Sequence, residues 1–93
     1  MAASNIQPEK RADVKWKQIG RAGILFDLRT GDYYELDDVA LSIWKMLDGK
    51  TSLAKVASRL AESYDASEKT VERDVAQFVS ELKKRKLVDA SKG

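Results

Sequence analysis

The spacing of apolar residues in this 93-residue chain changes once, after Leu36, from every second residue to every third or fourth, and does not change back. Period two places alternate side chains on opposite faces of a strand, whereas period 3.6 gathers them on one stripe of a helix. The chain therefore divides into a strand half and a helix half. Segregation of this kind predicts α+β architecture rather than alternating β–α units.

In the strand half, Val14 to Ile19 alternates, with Val14 and Trp16 facing one way and Lys15 and Lys17 the other. Gly20 to Gly23 reads as a turn. Ile24-Leu25-Phe26 is continuously apolar, which predicts a central strand covered on both faces. Arg29-Thr30-Gly31-Asp32 is a short glycine-containing gap before Tyr33-Tyr34-Glu35-Leu36, the signature of a hairpin connection. Three antiparallel strands in a meander are expected, with Tyr33 to Leu36 on an edge.

In the helix half, Asp37 can cap a helix carrying Val39, Ala40, Ile43, Trp44 and Leu47 on one stripe, with Gly49 at its C-cap. Ser52 can cap a second, with Leu53, Val56, Ala57, Leu60, Ala61 and Tyr64 on one face. Ser67 opens a third, striped with Val71, Val75, Phe78, Val79 and Leu82. Glu68 and the run Lys83-Lys84-Arg85-Lys86 complement its dipole at the two ends. These helices are expected to span about 11, 12 and 18 residues. Joined at Tyr64 to Ser67, the last two have the shape of a helix-turn-helix, and Leu87-Val88 reads as a short extended tail. Met1 to Ala12 is polar and aperiodic and is expected to be a flexible N-terminal arm. Residues 13–88 then form one domain, and 89–93 a C-terminal tail.

Composition narrows the chemistry. The chain has neither cysteine nor histidine, so disulfides, thiolate or imidazole metal sites and His-dependent nucleophilic catalysis are excluded. No glycine-rich phosphate loop exists, because the glycines stand apart at 20, 23, 31, 49 and 93. Adjacent Asp37 and Asp38 suit helix capping better than acid/base work. No catalytic residue, cofactor or metal is expected. Even the apolar run containing Gly23 to Phe26 is far short of the ~20 residues that span a bilayer, and Met1 to Gln7 lacks the features of a signal peptide, so a cytoplasmic protein with no membrane partner is expected.

Two features have binding readings. As an edge, Tyr33 to Leu36 would offer unpaired backbone groups to an incoming strand, or be guarded from one by Asp32 and Glu35. Both readings stay open on the residues alone. The basic run Lys83 to Lys86 permits an alternative, a winged-helix DNA-binding transcriptional regulator with the third helix as recognition helix. Against it, the start of that helix offers Glu68, Glu72 and Asp74 beside Lys69 and Arg73. The net charge of +2 adds little, and no nucleic-acid partner is expected.

The segment Leu25-Phe26-Asp27-Leu28-Arg29-Thr30-Gly31-Asp32-Tyr33-Tyr34-Glu35-Leu36, followed by Val39-Ala40, Ile43-Trp44 and Leu47-Asp48-Gly49, resembles the PqqD-like family, the RiPP recognition elements. The likeness continues through Val56-Ala57, Leu60, Tyr64-Asp65, Thr70-Val71-Glu72, Asp74-Val75, Phe78 and Leu82. It implies a three-stranded antiparallel sheet followed by three helices in a winged helix-turn-helix. It also implies non-catalytic binding of the leader segment of a ribosomally made precursor peptide. The leader would add as a strand and be delivered to a tailoring enzyme such as a radical SAM enzyme, a leader peptidase or a cyclase.

Carried over by position, the resemblance gives Asp32, Tyr33, Tyr34, Glu35 and Leu36 the main-chain hydrogen bonds to the leader. Val71, Val75, Phe78 and Val79 become the apolar floor, with Asp74 and Lys83 or Arg85 as polar contacts at its margin. Some of this stripe must also hold the core, a role that suits Val75 and Leu82, leaving Phe78 and Val79 as the main groove residues.

Overall fold

The computed structural model of the chain describes residues 7–89. The elements run β1 (Glu9–Lys10), β2 (Val14–Ile19), β3 (Ala22–Asp27), β4 (Tyr33–Leu36), α1 (Asp38–Met46), α2 (Leu53–Tyr64), α3 (Glu68–Lys84) and β5 (Val88–Asp89). An antiparallel sheet of order β2-β3-β4 precedes the three helices, as the change of period predicts, and β1 pairs with β5 in a separate two-stranded ribbon.

β2 and β3 join through a tight hairpin in which Ile19 pairs with Ala22 and Gly20 takes a positive φ of 62°. Gly23, read from sequence as part of this turn, lies inside β3. A Cβ there would come within 2.6 Å of Leu41 Cδ1, so the missing side chain lets α1 approach the sheet. The β3–β4 connection closes with the Gly31 N–H donating to the Asp27 carbonyl at 2.8 Å.

Each helix starts where a capping residue stands. The Asp37 carboxylate accepts from the Ala40 N–H at 2.8 Å, and the Ser52 hydroxyl accepts from the Lys55 N–H at 3.2 Å. Ser67 precedes α3 without a side-chain bond. α1 ends at Met46, before the expected glycine stop. The N-terminal segment bonds to the exit of α1: Lys10 Nζ donates to Lys45 O and Leu47 O, the Lys10 N–H donates to Leu47 O, and Pro8 O accepts from the Gly49 N–H at 2.9 Å. Those bonds and the pairing of β1 with β5 explain why residues 7–12, expected as part of a flexible arm, hold a strand with Pro8 buried. Residues 1–6 and 90–93, the rest of the expected arm and most of the tail, lie outside the described residues.

The core joins the inner face of the sheet to all three helices through Leu25, Leu36, Leu41, Ile43, Trp44, Val56, Leu60, Val75 and Val79, with Leu87 closing it. Full burial of each such side chain contributes about 1.5–3 kcal/mol. The helices cover only one face of the sheet. β3 is central, as expected, but Phe26 on its other face stays 41% exposed, so the expected burial of both faces is not met within one chain.

Candidate functional site

β4 is an edge, and its ladder determines which backbone groups are free. The Asp27 N–H donates to the Asp32 carbonyl at 2.9 Å, and the same register pairs Phe26 with Tyr33, Leu25 with Tyr34, Ile24 with Glu35 and Gly23 with Leu36. Bonded and non-bonded pairs alternate along an antiparallel ladder. Tyr34 and Leu36 therefore turn their N–H and C=O groups toward β3, while Tyr33 and Glu35 turn theirs outward. Side chains alternate as well: Tyr34 and Leu36 face the helices, and Tyr33 and Glu35 face away.

Between this edge and the last two turns of α3 lies a cleft of about 230 Å³, with Leu25, Leu36, Leu82 and Leu87 beneath it and Tyr34, Phe78, Glu35, Glu81 and Arg85 around it. Phe78, Glu81, Leu82 and Arg85 stand at i, i+3, i+4 and i+7, so one side of α3 forms the wall. Arg85 lies over the Tyr34 ring, its guanidinium carbon 5.2 Å from the centroid, and its Nε is 3.7 Å from Glu81 Oε1. The cleft thus has an apolar floor, two aromatic walls and an Arg–Glu pair at its rim.

Its width at one end is set by a polar bar. Arg29 Nη2 donates to Asp27 Oδ2 at 2.8 Å and to the Lys86 carbonyl at 2.9 Å, which ties the β3–β4 turn to the exit of α3. Arg29 hydrogen bonds, from side chain and backbone, hold the Asp27 carboxyl below its usual range despite burial. Hydrogen bonding from Arg11 does the same for Asp13, which lies 3.6 Å from Arg29 Nε. Arg11 also reaches Asp89 in β5 at 3.1 Å. Past the bar, Lys86 takes a positive φ of 60° and Leu87 N–H donates back to Leu82 O at 2.9 Å, the six-to-one bond of a Schellman cap.

The structure brings together only part of the expected set. Tyr34, Glu35, Leu36, Phe78 and Arg85 meet at the cleft. Tyr33 lies on the edge with its ring on the outer face. The backbone groups of Asp32 are used internally, its carbonyl by Asp27 and its N–H by Thr30 Oγ1. Those of Tyr34 and Leu36 belong to the β3 ladder. Val71, Val75 and Val79, expected as floor, are part of the buried core, with Val75 0% and Val79 1% exposed. Asp74 is exposed on the early part of α3, and neither Asp74 nor Lys83 lines the cleft. Sequence reasoning missed Leu25, Glu81 and Leu87 and took Leu82 as purely structural. Starting the helical repeat at Phe78 rather than Val71 would have added Glu81, and Leu82 as a cleft residue, to the expected Arg85.

Among the described residues no cluster of acidic or other ligating side chains could hold a metal ion. No helix there is long and apolar enough to cross a membrane.

Comparison with known proteins bears on the family and the fold. The PqqA binding protein of Rhizobium meliloti (strain 1021) is 37% identical over 54 residues, which are 58% of this chain and 55% of the relative, so the match spans little more than half of that protein. The PqqA binding protein of Xanthomonas euvesicatoria pv. vesicatoria (strain 85-10) is 33% identical over 82 residues, covering 88% of this chain and 89% of the relative. Among solved structures, lasso peptide synthetase B1 complexed with the leader peptide superposes with a TM-score of 0.80 at 30% identity, over 89% of this chain and 98% of the other. The family model for coenzyme PQQ synthesis protein D (PqqD) matches residues 22–88. The chain belongs to the PqqD family.

Proposed function

We propose that this domain binds the leader segment of a ribosomally made precursor peptide by β-strand addition and delivers it to a tailoring enzyme, without catalysing a step itself. The observation that carries the reading is the outward-turned N–H and C=O groups of Tyr33 and Glu35 beside the apolar cleft under Phe78 and Arg85. A strand laid along β4 takes hydrogen bonds from those two residues, and its alternate side chains enter the cleft or face outward. The cleft has room for one large apolar side chain. Arg85, released from Glu81, would meet an acidic neighbour. Relatives that bind PqqA, and a neighbour solved with a leader peptide, support the same reading.

About four hydrogen bonds at ~1 kcal/mol each and one or two anchors at ~1.5–3 each oppose an ordering cost of ~1–2 kcal/mol per residue. The surplus is small, so affinity is set by the anchors, each ~1.4 kcal/mol changing it tenfold. A radical SAM enzyme, a leader peptidase or a cyclase would receive the loaded domain in the cytoplasm.

The family's winged helix-turn-helix arrangement here serves to wall a peptide groove. A duplex-reading role for α3 is disfavoured by Glu68, Glu72 and Asp74, all exposed along its first half, which would repel phosphate, and by the contacts Lys84 and Arg85 make with Glu81. Fluorescence polarisation with labelled leader and labelled duplex tests the choice. Saturable leader binding with weak salt dependence is expected. Duplex binding that falls steeply with salt, with no response to the leader, would overturn the proposal.

A further inference from the structure

The sheet face that points away from the helices carries Ile19, Ala22, Ile24, Phe26 and Tyr33 where a solvated face is normally polar. Strand register sets rows across it: Lys15–Phe26–Tyr33, then Lys17–Ile24–Glu35, then Ile19–Ala22. Ile19, Phe26 and Tyr33 are 55%, 41% and 66% exposed. The continuous run Ile24-Leu25-Phe26 suits a strand covered on both sides, and the helices cover only the side of Leu25. Charge is also unevenly placed. Lys15 and Lys17 stand on the β2 side and Glu35 on the β4 side, with the apolar column of β3 between them.

We infer that a second copy of this chain covers this face. A two-fold axis parallel to the strands, midway between sheets stacked about 10 Å apart, lays β3 on β3 and places β2 of each copy over β4 of the other. Because Lys17 and Glu35 share a row, Lys17 then meets Glu35 of the second copy, and the reciprocal pair forms at the same level. Lys15 meets the Tyr33 ring in the next row, while Ile24 and Phe26 pack on their own equivalents. A foreign surface of a single charge would match one side of this face and repel the other; self-pairing satisfies both. The stacking leaves the β4 edges open, so the dimer presents two of them. An interface only three strands wide lies at the weak end of specific association.

Sedimentation equilibrium of the whole chain from about 10 μM to 1 mM tests the inference. The mass-average is expected to rise toward twice the monomer value, and F26S to hold it at the monomer value. K17E and E35K should each weaken association about tenfold, and K17E/E35K should restore it to within about threefold, because the reversed charges meet again across the axis. Lys17 is exposed, so K17E remains informative if F26S fails to fold. A wild-type chain that stays monomeric to 1 mM, or a double variant no better than the singles, overturns the inference.

Discussion

Arg29 and Lys86 are 57 residues apart in sequence, yet the Arg29 guanidinium donates to the Lys86 carbonyl at 2.9 Å while also holding the buried Asp27 carboxylate. The contact joins the turn before β4 to the exit of α3, and so fixes the spacing of the two walls of the cleft. Arg29→Met leaves Asp27 buried without its ion-pair partner. It is expected to lower Tm by roughly 5 °C or more and, in the folded fraction, to weaken leader binding. Thermal melts beside a binding isotherm check both effects.

Acid should act through the same group. Asp13, Asp27 and Asp48 are all held below their ordinary value of 3.8 by hydrogen bonds, Asp48 chiefly through the Lys50 N–H. Carboxyls with lowered folded pKa values contribute stability that is fully present above the unfolded value and is lost as pH falls through the folded one. Melting temperature is therefore expected to change little from pH 7 to about pH 5 and to drop below about pH 4. Arg29→Met should show a shallower drop.

Phe78 and Val79 are neighbours with different expected fates. Phe78 lines the cleft and is only half-buried, so Phe78→Ala should weaken leader binding at least about tenfold with little change in Tm. Val79 is core, so Val79→Ala should cost about 2 kcal/mol of stability and spare leader affinity in the folded protein. Urea unfolding paired with leader titration separates them.

Lys86 takes the left-handed conformation that a helix-ending glycine adopts without strain, while its carbonyl serves Arg29. Lys86→Gly relieves that strain and keeps the carbonyl, so it should raise stability by about 0.5–1 kcal/mol, measurable by chemical unfolding.

Much of the fold was legible because periodicity and caps are local. The change of period at Leu36, Asp37 and Ser52 as caps, and the glycine-bearing hairpin before Tyr33 locate nearly every element. What was not legible depends on contacts distant in sequence. β1 exists because it pairs with β5 and because Lys10 and Pro8 bond to the segment that follows α1, and nothing local marks them. The cleft was half legible: Phe78 and Tyr34 were found, but the valine stripe of α3 was assigned to the peptide because sequence reports an apolar face without saying which neighbour it meets. The two free positions on β4 required the hydrogen-bonding phase of the ladder, which residue pattern does not carry.

The central claim is most directly tested by amide hydrogen exchange of β4, followed by NMR with and without the leader. Tyr34 and Leu36, bonded to β3, should be protected in both states, whereas Tyr33 and Glu35 should exchange readily alone and slow at least about tenfold with leader bound. Saturation by leader with Tyr33 and Glu35 still exchanging freely, or with new protection confined to the α2–α3 turn, would contradict strand addition at this edge.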